Sequence, residues 1–209
     1  MKGIIFDLDG VLLSTDRFHY LAWKALADRL GIPFDEKKND LLRGVSRMDS
    51  LEIVLGKRSD EFSPEEKLAF ATEKNLTYRG LLQTLTPDSV APEVPATLEK
   101  LRAAGLRLAV GSSSRNTPLI LERTDLRRYF DAVSDGNNIT KSKPDPEVFL
   151  KAAQFLGLNP FDCAVVEDAD SGIEAAKRGG FLAISIGNAI TNGLDDRHIG
   201  SLKELLELI

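Results

Sequence analysis

Four short stretches of this chain hold residue types that could do chemistry together: Asp7-Leu8-Asp9-Gly10-Val11, Ser112-Ser113-Ser114-Arg115-Asn116, Lys143-Pro144 and Glu167-Asp168. Carboxylates gathered in one place repel one another unless a cation lies among them. Hard oxygen donors with no cysteine or histidine beside them point to Mg²⁺. A lysine next to such a cation makes a site for a phosphoryl group, whose transfer depends on positioning and charge neutralisation. A carboxylate can also attack phosphorus and carry the group as an aspartyl phosphate. Asp7 and Asp9 lie two residues apart, so a locally extended backbone turns both to one side. One can then be nucleophile and the other proton carrier. On this reading Asp7, nearest Mg²⁺ and Lys143, stays ionised, and Asp9 holds the proton for the leaving oxygen.

The elements that must position these residues are legible as apolar runs. Residues 3–6, 106–111, 164–166 and 181–186 are continuous apolar stretches bounded by Gly, Asp or Ser and read as buried strands. A strand apolar on both sides belongs to a parallel sheet covered by helices on both faces. Helical patterns fall at 95–104, 117–124, 145–157, 171–178 and 201–208. The one beginning at Pro144-Asp145-Pro146-Glu147 opens with an acidic cap and proline in its first turn. This alternation predicts an α/β fold with a Rossmann-like parallel sheet core. Ligands in such sheets bind just beyond the carboxyl ends of the strands, where all four stretches would lie.

One region interrupts the alternation. Residues 16–83 show only helical patterns, at 17–30, 46–56 and 64–83. They read as an inserted all-helical cap domain, with residues 1–15 and 84–209 forming the core. The crossings near Ser14-Thr15-Asp16 and Leu85-Thr86-Pro87 are polar and turn-prone, which suits a hinge.

Composition narrows the function classes. The chain has 209 residues, 27 Lys and Arg against 32 Asp and Glu, and 43% hydrophobic residues. That is enough for a core, and the mild acidity argues against a nucleic-acid partner. No apolar run approaches the roughly 18 residues that span a bilayer, so no membrane association is expected. Met1-Lys2-Gly3-Ile4-Ile5-Phe6 meets Asp7 before a signal-peptide core could form, and the one cysteine, Cys163, cannot pair within the chain. The expectation is a cytoplasmic monomer.

With Asp7-Leu8-Asp9-Gly10-Val11, Ser112, Lys143-Pro144 and Glu167-Asp168 in this order, the chain resembles the haloacid dehalogenase-like superfamily. The resemblance extends over nearly its full length to the β-phosphoglucomutase family. It is carried by His19 with Ala22-Trp23-Lys24-Ala25-Leu26-Ala27, by Arg43-Gly44-Val45-Ser46-Arg47, Lys74-Asn75 and Leu121-Glu122-Arg123, and by Tyr129-Phe130-Asp131-Ala132. That family isomerises β-glucose 1-phosphate and glucose 6-phosphate through glucose 1,6-bisphosphate. The resemblance implies Asp7 as the phosphorylated nucleophile and Asp9 as the general acid/base. It implies Mg²⁺ held by Asp7, the Asp9 carbonyl, Glu167 and Asp168, and the transferring phosphoryl group bound by Ser112 and Lys143. The other phosphate falls to Arg47, Ser114, Arg115 and Asn116, and the sugar to Trp23, Gly44, Val45, Ser50 and Lys74. Thr15 and His19 match the hinge and first cap helix, where closure is coupled to placing the acid/base.

Some residues depart from the family pattern or read more plainly. Arg115 stands where relatives carry lysine, which keeps the charge but changes the geometry of phosphate binding. Glu93 replaces a usual glycine, and Ser14 an acidic residue of the hinge. Asp170 is expected to cap a helix. Ser113 and His198 are assigned no role, and Glu36-Lys37-Lys38-Asn39-Asp40 reads as a solvated face. The alternative function is hydrolysis of a sugar phosphate or phosphoglycolate by the same machinery, with water in place of a sugar hydroxyl.

Overall fold

The computed structural model describes residues 1–42, 45–187 and 193–209. Its strands are β1 Gly3–Phe6, β2 Arg107–Gly111, β3 Ala132–Ser134, β4 Cys163–Glu167, β5 Leu182–Ile186 and β6 Arg197–Ile199. They form one parallel sheet in the order β3-β2-β1-β4-β5-β6. The helices are α1 Asp16–Arg29, α2 Glu36–Asp40, α3 Arg47–Leu55, α4 Pro64–Leu82, α5 Glu93–Ala103, α6 Thr117–Arg123, α7 Glu147–Leu156 and α8 Asp170–Arg178. The fold is α/β, with α1–α4 inserted after β1. The chain divides into two compact units, Met1–Ser14 with Leu85–Ile209, and Thr15–Thr84. Among the described residues no helix is long and apolar enough to cross a membrane.

In the sheet unit, Ile4, Ile5, Phe6, Leu108, Ala109, Val110, Ala164, Val165 and Val166 are all fully buried. Helix α7 packs on β1, β2 and β3, α8 on β4 and β5, and α5 on β2. Such two-sided cover is why these strands are apolar throughout instead of alternating. Strand order runs outward from β1 to β3, then resumes on the other side of β1 with β4. The reversal therefore lies between β1 and β4, where a binding crevice is expected beyond the strand ends.

The helical unit has its own core, built from Trp23, Leu26 and Ala27 of α1, Leu51, Val54 and Leu55 of α3, and Ala71 of α4. A capping box starts α4: the Ser63 side chain accepts from the Glu66 N–H and the Glu66 side chain from the Ser63 N–H, with Pro64 opening the helix. The Ser46 hydroxyl caps α3 by accepting from the Asp49 N–H at 3.3 Å, which places Arg47 in the first helical position.

Some expectations are corrected here. Strands β3 and β6 have three residues each, too few to register as apolar runs. The last helical pattern is a 3₁₀ segment, Leu202–Glu207. Asp170 is the first residue of α8; Ala169 is its cap and no side-chain cap bond forms. Glu36–Asp40 is a short helix, although none of its residues is buried. His198 lies in β6, with Nδ1 2.8 Å from the Ser185 hydroxyl. That hydroxyl donates to Asp195 Oδ2 at 2.6 Å, so its lone pair accepts from the His198 Nδ1–H.

Candidate active site

Strand register sets the site. Phe6 pairs with Val110 on one side and Val166 on the other, so the next residue, Asp7, comes level with Gly111 and Glu167. The Asp7 N–H donates to Val166 O at 3.0 Å. Lys143 Nζ lies 2.5 Å from Asp7 Oδ1 and 2.5 Å from Glu167 Oε1, and 4.6 Å from the centre of the buried Phe149 ring. Asp7, Glu167 and Asp168 each offer a carboxylate oxygen within 4.8 Å of the others. Two glycines make room for this cluster. A Cβ on Gly10, whose φ is +89°, would fall on the Asp168 carboxylate, and one on Gly172 would fall on that of Glu167. Only a residue without a side chain fits at either place.

Burial governs the charges. It works to lower Lys143, but Asp7 and Glu167 outweigh it and hold the ammonium above the ordinary lysine value. Asp7 is pushed up to about 8 by burial, with Lys143 opposing and Glu167 adding. Asp168 rises to about 7 through burial, then through Glu167 and Asp9. One ammonium divided between two carboxylates does not offset burial for Asp7. The expectation that Asp7 stays ionised includes Mg²⁺ beside it; with Lys143 alone, burial favours the protonated form. With all three carboxylates ionised against one ammonium, two negative charges are left over, the charge of one divalent cation. The donors are all hard oxygens, so the cluster fits Mg²⁺.

The loop after β2 begins beside Asp7. The Ser112 N–H donates to Ser134 O at 3.1 Å, the Ser114 N–H to the Ser112 hydroxyl at 3.2 Å, and the Asn116 N–H to the Ser114 hydroxyl at 3.2 Å. Arg115 is exposed, and its Nε donates to Gly136 O at 3.1 Å. Ser112 and Asn116 are buried. Ser113, expected to have no role, buries its hydroxyl without a hydrogen-bond partner among the described residues. Asp9 is half-buried and precedes the turn closed by the Gly10 N–H to Leu13 O bond of 2.7 Å.

The remaining candidates belong to the helical unit. Lys74 is no surface residue: it is 3% exposed. Its Nζ lies 2.9 Å from His19 Nδ1, 4.7 Å from the Trp23 ring centre and 4.8 Å from that of Tyr78. An ammonium can only donate, so His19 Nδ1 accepts and the ring proton sits on Nε2. Burial, then the charges of Lys74 and Arg47, hold His19 well below its ordinary value, so it is neutral. The Thr15 and Tyr78 hydroxyls are 2.8 Å apart, and the Tyr78 ring lies tilted by 36° against His19, centres 4.1 Å apart. Ser50 is buried and its hydroxyl donates to Val45 O at 3.4 Å. Gly44 lies outside the described residues.

Sequence reasoning missed Phe149, Gly172 and Tyr78. Tyr78 had a usable signal. It follows Lys74 by one helical turn, as His19 follows Thr15, so the two pairs can face each other across adjacent helices.

Comparison with known proteins fits this geometry. The haloacid dehalogenase-like hydrolase family matches residues 1–180, and the chain belongs to that family. It is 41% identical over 189 residues to a β-phosphoglucomutase of Bacillus subtilis, covering 90% of this chain and 84% of that one. It is 32% identical over 186 residues to a fructose-1-phosphate phosphatase of Escherichia coli, covering 88% and 95%. The crystal structure of a β-phosphoglucomutase from Clostridium difficile superposes with a TM-score of 0.91 at 34% identity, covering 98% of this chain and 93% of that one.

Proposed function

We propose that this chain is a Mg²⁺-dependent phosphomutase that interconverts β-glucose 1-phosphate and glucose 6-phosphate through glucose 1,6-bisphosphate. The observation that carries the reading is Asp7, buried at the end of β1, held by Lys143 within a cluster short of positive charge. Asp7, Glu167 and Asp168, with the Asp9 carbonyl, are the residues that would hold Mg²⁺. When bound, the ion supplies the charge that keeps Asp7 ionised and offsets that of the phosphoryl oxygens.

An Asp7 carboxylate oxygen attacks phosphorus, the bond from phosphorus to the sugar oxygen breaks, and Asp9 gives that oxygen its proton. In the return step a hydroxyl on the other carbon attacks that phosphorus, the bond from phosphorus to the Asp7 oxygen breaks, and the hydroxyl passes its proton to Asp9. Lys143 and the Ser112 hydroxyl hold the transferring group, and Ser114, Arg115 and Asn116 belong to the loop assigned to the second phosphate. Thr15, His19, Trp23, Val45, Arg47, Ser50 and Lys74 are the contributions proposed for the helical unit. Similarity to a fructose-1-phosphate phosphatase supports a second reading, hydrolysis of a sugar phosphate by the same aspartyl phosphate.

A coupled assay decides between them. β-Glucose 1-phosphate is supplied with a trace of the bisphosphate and Mg²⁺, and glucose 6-phosphate and free phosphate are followed together. The mutase reading expects glucose 6-phosphate in large excess over phosphate. Phosphate released as fast as substrate disappears would establish the hydrolase instead.

A further inference from the structure

Lys143 reaches two carboxylates from a stretch between β3 and α7 that contains neither strand nor helix. What holds that stretch therefore sets where the ammonium lies. Glu147, the first residue of α7, reaches back over it. Its Oε2 accepts from the Thr140 N–H at 2.9 Å, the Thr140 hydroxyl at 2.9 Å and the Lys141 N–H at 2.8 Å. Its own N–H donates to Asp145 Oδ1 at 3.0 Å. Its Oε1 lies 2.9 Å from Lys151 Nζ, one turn along α7, and that ammonium also donates to Asn138 O. The carboxyl is held down to about 2, by Lys151 first and then by the Thr140 and Lys141 N–H groups, so it stays a full acceptor.

Both ends of this brace bear on Lys143. The backbone it grips lies two and three residues before the lysine. Two residues beyond Glu147, the same helix carries Phe149, whose ring lies beneath Lys143 Nζ. An ammonium that meets two carboxylates at 2.5 Å each has little freedom to shift without losing one of them. Misplacement by about 1 Å can cost on the order of 10²-fold in rate.

We infer that Glu147 is a positioning residue: by gripping the Thr140–Lys141 backbone it sets the place of Lys143 Nζ, and with it the binding of a phosphoryl group. The inference rests on the phosphoryl-transfer reading above. The full chain with Mg²⁺ is tested for affinity to inorganic phosphate by calorimetry and for hydrolysis of p-nitrophenyl phosphate, with melting temperatures recorded alongside. Glu147→Asp keeps the charge and shortens the reach. It is expected to weaken phosphate binding about tenfold and to lower kcat/KM by about 10–100-fold. Glu147→Gln keeps the oxygen acceptor without the charge and is expected to stay within about threefold of the parent. Lys151→Met removes the ion pair and the bond to Asn138 O but leaves the Glu147 grip on Thr140 and Lys141, and is expected to leave phosphate affinity unchanged while lowering the melting temperature. Should Glu147→Asp not fold, Thr140→Val deletes one of the three bonds and is expected to weaken phosphate binding about threefold. Parent-like affinity in Glu147→Asp (or in Thr140→Val where that variant decides), or Glu147→Gln as weak as Glu147→Asp, would overturn the inference alone. A folded parent that neither binds phosphate nor hydrolyses the aryl ester would overturn the phosphoryl-transfer reading, and this inference with it.

Discussion

Each compact unit buries a lysine over an aromatic ring, and the two lysines keep different company. Lys143 lies over Phe149 and touches Asp7 and Glu167. Lys74 lies over Trp23 and Tyr78 and touches Nδ1 of the neutral His19. Burial drives the titrating neighbours of both toward their uncharged forms, but in opposite senses. Beside Lys143, Asp7 and Asp168 rise, because burial and the neighbouring carboxylates outweigh the one ammonium. Beside Lys74 the base falls, because the added charge of Lys74 and Arg47 works with burial. The sheet unit thus holds a deficit of positive charge, which a divalent cation would offset. In the helical unit the lysine lies among π faces, whose ring quadrupole attracts an ammonium.

The sharpest way to break this contrast is at Asp7. Asp7→Asn is expected to abolish turnover, whereas Asp9→Asn should slow it by roughly 10²–10⁴, the range for a lost general acid/base. Steady-state rates on β-glucose 1-phosphate check both, and substantial activity in the Asp7 variant would remove the covalent step.

The deficit of positive charge makes a pH prediction. Raised folded-state values for Asp7 and Asp168 mean that the folded protein binds more protons than the unfolded chain between about pH 4 and 8. Stability of the metal-free protein therefore falls as pH rises through that window. Added Mg²⁺ should accordingly raise the melting temperature more at pH 8 than at pH 5. A concentration about 100-fold above its dissociation constant corresponds to about 2.7 kcal/mol. Equal shifts at both pH values, followed by differential scanning fluorimetry, would contradict the proposed charge balance.

A smaller effect sharpens the other side. Lys74→Met removes a cation from His19, so the imidazole value should climb back toward the ordinary histidine range. Its ring-proton shifts in an NMR titration would show the change. An unmoved His19 would mean that burial and Arg47 depress it without Lys74.

How much of this was legible in the sequence follows from what each feature depends on. Strands β1, β2, β4 and β5 are covered on both faces, so their residues spell continuous apolar runs. The three-residue strands β3 and β6 have no such length, and Arg197-His198 at the sheet edge is polar and exposed. The four loop stretches stood out because carboxylates, hydroxyls and a lysine repeatedly follow or flank apolar runs. The upward pull on Asp7 was not legible, since the depth of burial that opposes Lys143 is a property of the packed sheet. Neither was the burial of Lys74, which depends on Trp23, His19 and Tyr78 meeting from two helices.

The central claim is that Asp7 carries the phosphoryl group, and the direct test is to catch it there. The protein is mixed with Mg²⁺ and glucose 1,6-bisphosphate, quenched in acid within milliseconds, digested and mapped by mass spectrometry. The account predicts one phosphoryl group on the peptide that contains Asp7, absent from Asp7→Asn. A turning-over enzyme whose phosphoryl group maps to another residue, or to none, would contradict it.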